Sequence, residues 1–395
     1  MSTRALKLGL QKFFEPAKTI PESLLSYATE YLIEKMRPIW LGLPTMSYED
    51  SISDLDLKKG PGHPYNLTCE DKSAALMKFG HVVKERVDLM IAGEEVDCTF
   101  STTLKDELRP SEKVAQHKTR VFNACDLHHL IGSTMCFGAQ NDALIKNRSR
   151  TPITIGIQIP GPEFAMTLRG LGDSGFSMDV GGCDARFNLG AARVIRDVRA
   201  YFLPSFLYKM VMHLYNTTYA GAAVVLGHLF WLYHNKSGWK NTGHDNSFYV
   251  WIMLVMAHRA VHKLNFDEVS KLKVNGDDNV WNTDITKVDP KAIIEWCALY
   301  NCQFEIESYT PRPCKELTFL SHHLKERYSR VIGDILVAAG NYSKLMSSLR
   351  YIKKNKNLTY DESVISHLLG VRLCLFPWAI EFEEISDKLS MLIHQ

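Results

Sequence analysis

Lys271-Leu-Lys-Val-Asn-Gly-Asp-Asp-Asn-Val-Trp-Asn282 decides how the rest of this chain is read. Val274 on one side and Val280-Trp281 on the other flank Asn275-Gly276-Asp277-Asp278, so the stretch predicts a short β-hairpin. Gly276 supplies the backbone freedom that a sharp turn needs. Such a turn projects two carboxylates together, which is costly unless cations bind there. A Gly-Asp-Asp turn alone is ordinary polar surface, so its meaning depends on what lies upstream.

Composition sets the frame. The 395 residues are 46% hydrophobic and 23% charged, the balance of a soluble globular chain whose core can support several subdomains. A formal net charge of +2 makes no global basic field, so any nucleic-acid site must be a local groove. Nine cysteines without a repeated Cys-x-x-Cys spacing suit a reducing compartment and argue against a disulfide framework. Arg4, Lys7 and Lys12 are followed by no long apolar run, so no signal peptide is expected. The longest apolar stretch, 220–233, is interrupted by Gly227 and His228 and is too short to span a bilayer.

Upstream of the hairpin, residues 1–50 read as mostly helical, with Pro21 in the first turn of a helix reaching Met36. Lys58-Lys-Gly-Pro-Gly-His-Pro-Tyr65 is either a plain loop or a backbone-lined path for a phosphate chain. A helix follows over 71–91. A strand is expected over 102–109, returning over 118–122, with Lys105, Arg109, Lys113, Lys118 and Arg120 interleaved with Asp106, Glu107 and Glu112. That pattern is either a solvated charged hairpin or a ribbon of cations gripping polyphosphate, with Arg making bidentate contacts and Lys acting as a point charge.

A helix over 126–145 and a short strand over 151–159 come next. The stretch 175–184 then reads as a buried strand that stops at Asp179, continues through Gly181-Gly182 and reaches Asp184. A helix over 186–202 and a strand pair over 220–233 follow. Ser237-Gly-Trp-Lys-Asn-Thr242-Gly-His-Asp-Asn246 runs as a loop into a helix over 248–264; it is either an ordinary N-cap or a set of backbone donors facing an anion. His258 and His262 have metal-ligand spacing but lack a third ligand nearby, which favours a structural or surface role. Beyond the hairpin, a helix over 289–300, a strand over 304–306, a strand element over 318–324 and helices over 341–351 and 359–373 are expected. Thr359 and Glu362 stand at capping-box spacing. The order is helical-mixed, then β-α-β-hairpin with acidic strand ends, then all helical.

Paired carboxylates on adjacent strands can hold two divalent ions about 3.5–4 Å apart. An oxygen-only ligand set with phosphate chemistry points to Mg²⁺ or Mn²⁺.

With these residues in place, the chain resembles a viral RNA-dependent RNA polymerase of the picornavirus-like positive-strand group, from about Pro38 to the C-terminus. Asp179-Val-Gly-Gly-Cys-Asp184 resembles the first palm motif, Ser237-Gly238 with Thr242 and Asn246 the second, and Gly276-Asp277-Asp278 the third. Lys105-Asp-Glu-Leu-Arg109, with Lys113, Lys118 and Arg120, matches the basic fingers motif. Thr318-Phe-Leu320 resembles the motif that steadies the primer end, and Gly62-His-Pro-Tyr65 the loop at the template opening.

The resemblance implies an α+β right-hand polymerase whose antiparallel palm sheet is backed by helices. Fingers are expected over 1–170, palm over 171–330 with a fingers insertion near 203–236, and thumb over 331–395. It implies template-directed nucleotidyl transfer from NTP to an RNA 3′-hydroxyl by a two-metal mechanism. In that scheme Asp179, Asp277 and Asp278 hold Mg²⁺ (or Mn²⁺). Lys105, Arg109, Lys113, Lys118 and Arg120 hold triphosphate, and Ser237, Gly238 and Thr242 belong to the nucleotide site. Asp184, Ser237 and Asn246 read the ribose 2′-hydroxyl, while Gly62, Pro64, Phe319 and Leu320 meet template or primer. Implied partners are RNA template, nascent RNA, NTPs and other viral replication proteins, in the host-cell cytoplasm at membrane-associated replication complexes.

Three positions depart from the pattern. Asn275 stands where Tyr is usual, His117 where Gly is usual, and Cys183 where Tyr is usual. The general acid stays open between Arg312 and Lys315, neither at the family's spacing. Met1 is read as either a native start or a boundary within a polyprotein. The rival readings are a reverse transcriptase or DNA polymerase palm, and an inactive RNA-binding relative.

Overall fold

The computed structural model describes residues 3–14, 18–107, 109, 111–329, 333–349, 358–378 and 391. Helices α1 (Thr3–Gln11), α2 (Glu22–Trp40), α3 (Tyr48–Ser53) and α4 (Lys72–Ala92) precede strand β1 (Phe100–Leu104), α5 (Ser111–Ala115) and β2 (Val121–Ala124). Next come α6 (Leu127–Lys146), α7 (Pro162–Arg169), β3 (Ser174–Val180), α8 (Leu189–Tyr201), α9 (Tyr208–Tyr219) and the pair β4 (Ala220–Val225) and β5 (His228–Tyr233). The chain continues with α10 (Thr242–His262), α11 (Phe266–Val269), β6 (Ser270–Asn275), β7 (Asp278–Thr283), α12 (Pro290–Leu299), β8 (Phe304–Ile306) and β9 (Arg312–Pro313). Strands β10 (His322–Ser329) and β11 (Gly333–Gly340) lead to α13 (Tyr342–Ser348) and α14 (Tyr360–Leu375).

Two sheets matter for the site. One runs β6-β7-β3-β8, with antiparallel ladders and β9 paired to the start of β3. Helix α10 backs it, packing on β6 and also on α2, α8 and α12. Phe248 to Ala257 of α10 are buried without a break, so this helix is the spine of the main core. The other sheet runs β2-β1-β4-β5, in which β4 joins β1 in parallel through Phe100 and Ser101. Thus the 203–236 segment returns its strand pair to the sheet begun by the N-terminal region.

Local signals account for many of the boundaries. Asp71, Asp126 and Asp289 each accept a backbone N–H at the start of α4, α6 and α12, and Pro290 opens α12 where its missing N–H is harmless. Thr359 and Glu362 form a reciprocal capping box on α14. Pro21 lies just outside α2 as its N-cap, not in the first turn.

Other expectations are corrected. The first β-ladder ends at Leu104 and Val121, so the described residues 105–107, 109 and 118–120 are not strand. One further bond, Lys105 N–H to the Arg120 carbonyl, is followed by charged side chains that pair with each other and by the short α5. The 151–159 run is no strand: it touches β6 through an isolated Ile153–Val274 bridge and then turns at Gly156, where φ is +86°. Helix α8 starts at Leu189 after an Asn188 cap, and a 3₁₀ turn carries Cys183–Arg186. Helix α10 starts at Thr242, six residues earlier than expected, because Asp245 in its first turns is neutralised by a buried arginine. The chain after the acidic hairpin is not all helical. Strands β10 and β11 form an eight-pair antiparallel ladder that straddles residue 330, and 318–321 is a turn leading into it. The expected end of the 341–351 helix and most residues beyond 378 lie outside the described residues.

One buried ion pair ties the helices together. Arg199 on α8 donates through Nε and Nη2 to Asp245 Oδ1 at 3.0 and 2.9 Å, while Tyr215 and Tyr219 donate to Oδ2 at 2.8 and 3.2 Å. The guanidinium also lies 5.3–5.5 Å from the ring centres of Trp40, Phe137 and Phe248. Both charged side chains are fully buried, so removing one partner strands the other. Arg199→Leu should therefore cost about 3–5 kcal/mol in urea unfolding. Burial already raises the Asp245 pKa and Arg199 lowers it, so the variant's carboxyl must titrate higher still. A carboxyl raised in the folded state contributes stability at low pH and loses it as pH rises through the folded value. The deficit should therefore be smallest in acid and largest at neutral pH; a pH-independent deficit under about 1 kcal/mol would contradict the assignment.

Candidate active site at the β3 end and the β6–β7 turn

Strand β3 carries buried Phe176, Ser177 and Met178 up to Asp179 at its open end. Met178 pairs with Asn279, so one further step of the register sets Asp179 opposite Asp278, within side-chain reach across the strands. Asp277 occupies the turn beside it. Gly276, at φ +68°, makes that turn possible, and its N–H donates to Ser247 Oγ on α10 at 2.8 Å. The Asn275 amide donates to the Thr154 carbonyl at 3.3 Å, anchoring the other side. The Leu320 backbone N–H bonds the Asp278 carboxylate, and Thr318 N–H donates to Ser177 Oγ at 2.8 Å.

These carboxylates repel one another. Burial, then the charge of Asp277, pushes Asp179 up to about 6. Burial, then Asp179, pushes Asp278 up to about 7. Asp277 is also raised by burial, against the pull of Arg120. Among the described residues, the charged neighbours that raise Asp179 are Asp277 and, across the ladder, Glu305, and those that raise Asp278 are Asp179, Asp277 and Glu307. Uncompensated oxygens clustered this way fit hard divalent cations such as Mg²⁺ or Mn²⁺.

A polar chain lies next to this centre. Asn246 donates to Asp184 Oδ1 at 2.8 Å, Asn235 donates to Asn246 Oδ1 at 2.8 Å, and Trp239 Nε1 donates to Asn235 Oδ1 at 3.2 Å. Burial pushes Asp184 up to about 6, offset in part by the Asn246 bond. Asn235 was missed in the sequence; its signal is the polar run His234-Asn235-Lys236, buried directly after a strand. Ser247, which holds the Gly276 turn, was missed as well. Asn246 lies in the second turn of α10 and does not begin the helix. Thr242 sits at the helix start and donates to the Trp239 carbonyl. Ser237 Oγ accepts from Asn123 N–H at 3.4 Å, and Gly238, at φ +93°, packs so closely that a Cβ there would collide with the Asn123 carbonyl.

The basic residues are only partly gathered. Glu107 binds Arg120 through Nε and Nη2, with Arg109 Nε at 3.3 Å and Lys105 Nζ at 3.9 Å, and the Arg120 hydrogen bond holds its carboxyl below the usual range. Arg120 in turn acts on Asp277 and Asp184, so it faces the acidic centre. Lys113 and Lys118 are exposed on the outer part of the loop. His117, at φ +54°, adopts the left-handed conformation that a glycine would take without strain.

The remaining candidates fall differently. Phe319 is fully buried and stacks on Phe164 at 6.1 Å, so its side chain packs a second core and does not face a groove. Leu320, at φ +52°, contributes its backbone N–H to the acidic centre. Gly62 is buried against the Cys125 carbonyl, where a Cβ would collide, whereas Pro64 is exposed. Arg312 pairs with Glu307 at 3.0 Å and Glu316 at 3.6 Å, and Lys315 lies 3.8 Å from Glu326. His258 is buried between the Leu254 carbonyl and Ser270 Oγ, a structural role as expected.

Comparison with known proteins agrees with this arrangement. The family model for viral RNA-dependent RNA polymerase matches residues 2–392. The genome polyprotein of human hepatitis A virus genotype IB (isolate MBB) is 30% identical over 149 residues, 34% of this chain and 7% of the polyprotein. That of human parechovirus 2 (strain Williamson) is 24% identical over 137 residues, 32% of this chain and 6% of the polyprotein. The chain thus spans a small part of the length of these relatives. Among solved structures, a sicinivirus 3Dpol RNA-dependent RNA polymerase superposes with a TM-score of 0.82 at 16% identity, covering 98% of this chain and 83% of that one.

Carboxylate repulsion has a measurable consequence. Asp278 is raised from 3.8 to about 7, so the stability tied to it is full below about pH 4 and is lost as pH rises through 7. In metal-free buffer Asp278→Asn should therefore melt above the parent at pH 8 and match it near pH 4.5. Partial exposure and coupling to Asp179 bring the expected gain to about 1–2 kcal/mol. Excess Mg²⁺ should stabilise the parent more than the variant. A variant that melts below the parent at pH 8 without metal would contradict the mutual-repulsion account.

Proposed function

This chain belongs to the viral RNA-dependent RNA polymerase family, nucleotidyltransferases with a right-hand fold, and from that premise we propose that the acidic centre extends an RNA 3′-hydroxyl with template-selected NTPs. The observation that carries the reading is the meeting of Asp179 with the Asp277–Asp278 turn, where desolvation raises all three carboxylates, Asp277 raises Asp179 further, and Asp179 and Asp277 raise Asp278. Asp179 and Asp277 would hold two Mg²⁺ (or Mn²⁺) ions, with Asp278 in support. When bound, such ions supply activation of the attacking hydroxyl and neutralisation of the leaving pyrophosphate.

The residues around that centre divide the remaining work. Ser247 and Asn275 fix the turn, so Asp277 needs no reorganisation when substrate arrives. Arg120, with Lys105 and Arg109 behind it, grips triphosphate by exchanging Glu107 for phosphate oxygens, and Lys113 and Lys118 extend the basic surface outward. Asp184 accepts from the ribose 2′-hydroxyl while Asn246 and Ser237 complete that pocket, held from behind by Asn235. Gly238 and Thr242 shape the loop on which the nucleotide rests. In this reading residues 1–170 with the 203–236 insertion are fingers, 171–330 palm and the remainder thumb. Gly62, Pro64 and the 318–320 turn border the template and primer paths, with Phe319 acting through packing. The setting is viral genome replication in the host cytoplasm, at membrane-associated complexes with other viral proteins. No helix among the described residues is long and apolar enough to cross a membrane.

Asp277→Ala should abolish nucleotide incorporation in a primer-extension assay while leaving the fold and RNA binding intact. Near-parental synthesis by the purified variant would remove the site assignment.

Sugar selection separates this reading from a DNA-synthesising palm. A pocket that hydrogen-bonds a hydroxyl penalises the analogue lacking it by roughly 2–4 kcal/mol in a partly hydrated site, so rNTP should be preferred over dNTP about 30- to 1,000-fold. Asn246→Ala should erode that ratio chiefly by slowing rNTP use, and Asn235→Ala should act in the same direction to a smaller extent. Equal use of both sugars by the parent would refute the pocket roles.

A further inference from the structure

Away from the acidic centre, a second group of chemistry-bearing side chains converges where the fingers sheet meets its helices. Cys98 lies just before β1, Asp126 caps α6, and His128 stands in the first turn of that helix. All three are buried, and their ligand atoms lie within 4.8 Å of one another. His128 Nε2 is 3.5 Å from Cys98 Sγ and 3.2 Å from Asp126 Oδ1. A fourth side chain arrives from α9: His213 Nε2 is 3.4 Å from the same sulfur.

The Cys98–His128, Asp126–His128 and Cys98–His213 separations match those of ligand pairs around one ion, and Cys98, Asp126 and His128 form the set whose atoms all lie within 4.8 Å, with His213 standing outside it beside the sulfur. With Zn–S near 2.3 Å and Zn–N or Zn–O near 2.0–2.1 Å, tetrahedral angles put sulfur and nitrogen about 3.5 Å apart and nitrogen and oxygen about 3.3 Å apart. Hydrogen bonding accounts for the cluster less well. Around the single nitrogen His128 Nε2 crowd the Asp97 carbonyl at 3.0 Å, the Asp126 carboxylate and the Cys98 sulfur, and that nitrogen has at most one proton to offer. The opposite nitrogen, Nδ1, lies 3.2 Å from Tyr65 Oη, the kind of outer partner that orients a metal-bound imidazole. The Asp126 carboxylate is likewise held by the N–H groups of Thr99 and His129.

We propose that Cys98, Asp126 and His128, with His213 swinging in from beside the sulfur as the fourth ligand, form a structural site for a divalent transition ion, zinc by its ligand set, separate from the palm carboxylates. Sulfur and imidazole ligands select zinc over Mg²⁺. A thiolate and a carboxylate cancel the charge of the dication, so the buried site is neutral when filled. His213 is half-buried, whereas Cys98, Asp126 and His128 are buried, so it is the side chain of the four nearest solvent. Ligation by the Cys98 thiolate releases its proton, so binding is pH-dependent. The ion would staple β1, α6 and α9 together and, through Tyr65, steady the loop that begins at Gly62.

The test uses the full chain stripped with chelator and then titrated with Zn²⁺ or Co²⁺ in excess Mg²⁺. The expected results are about one tightly bound Zn²⁺ per chain, a raised melting temperature, and a Co²⁺ spectrum with an intense thiolate charge-transfer band and tetrahedral d–d bands. Cys98→Ser should lose the band, His213→Ala should weaken binding at least tenfold by analogy with loss of even an outer-shell partner, and Asp277→Ala should keep both band and stoichiometry. A parent spectrum with no thiolate band at saturating Co²⁺ overturns the proposal, whether or not Cys98→Ser folds. So does a band that survives Cys98→Ser, an affinity unchanged in His213→Ala, or tight zinc that disappears with Asp277→Ala.

Discussion

Mutual repulsion among Asp179, Asp277 and Asp278 is the constraint on which the rest of the molecule depends. Like charges brought to one strand end and one turn drive that turn open unless something else holds it. What holds it is a set of short bonds from rigid neighbours: Ser247 from α10, Asn275 onto the Thr154 carbonyl, and the Leu320 N–H on Asp278. Helix α10 can serve as the fixed reference because its apolar face is buried throughout and its first turns are tied to α8 and α9 by Arg199, Asp245, Tyr215 and Tyr219. A fully paired buried charge here positions a cluster of unpaired ones.

Much of this was readable from residue order because it rests on local chemistry. The Asn275–Asp278 turn, the acid at the end of β3, the β4–β5 pair and the cap at Thr359 depend on neighbours a few residues away. The misreadings share a different origin. The β-branched run at 151–159 looked like a strand, but only Ile153 found a partner on β6. The start of α10 was placed late because Gly243 and Asp245 read as loop residues, and nothing near them in sequence announces that Arg199 lies opposite. The β10–β11 hairpin was missed since its registration depends on β10 being freed from the 318–321 turn.

Within the site the same division holds. Motif spacing picked out Asp179, Asp184, Asn246 and Asp277, each of which ends up near the others. It could not reveal that Asn235 is the residue that fastens Asn246, because an asparagine after a strand has many ordinary uses. Nor could it tell Phe319, a core side chain, from Leu320, whose backbone reaches Asp278. Sequence finds the residue types a reaction needs; the packing that orients them is written in long-range contacts.

Glu107 raises the most specific question about how the proposed reaction is prepared. Arg120 acts electrostatically on both Asp277 and Asp184, and a direct pair with either would neutralise a group that the proposed chemistry requires charged. Glu107 gives the guanidinium a closer partner, and with Lys105 and Arg109 it forms a local cluster in which three cations surround one carboxylate. That cluster keeps an excess of positive charge at the rim of an excess of negative charge, which is the balance a triphosphate carrying its own cations would complete. A charge-assisted bond of this kind is worth roughly 1.5–3 kcal/mol, large enough to hold Arg120 off the aspartates yet small enough to yield to a ligand bearing several phosphate oxygens. Under the proposed function, the carboxylate therefore acts as an internal competitor that leaves the acidic centre unpaired until a nucleotide arrives.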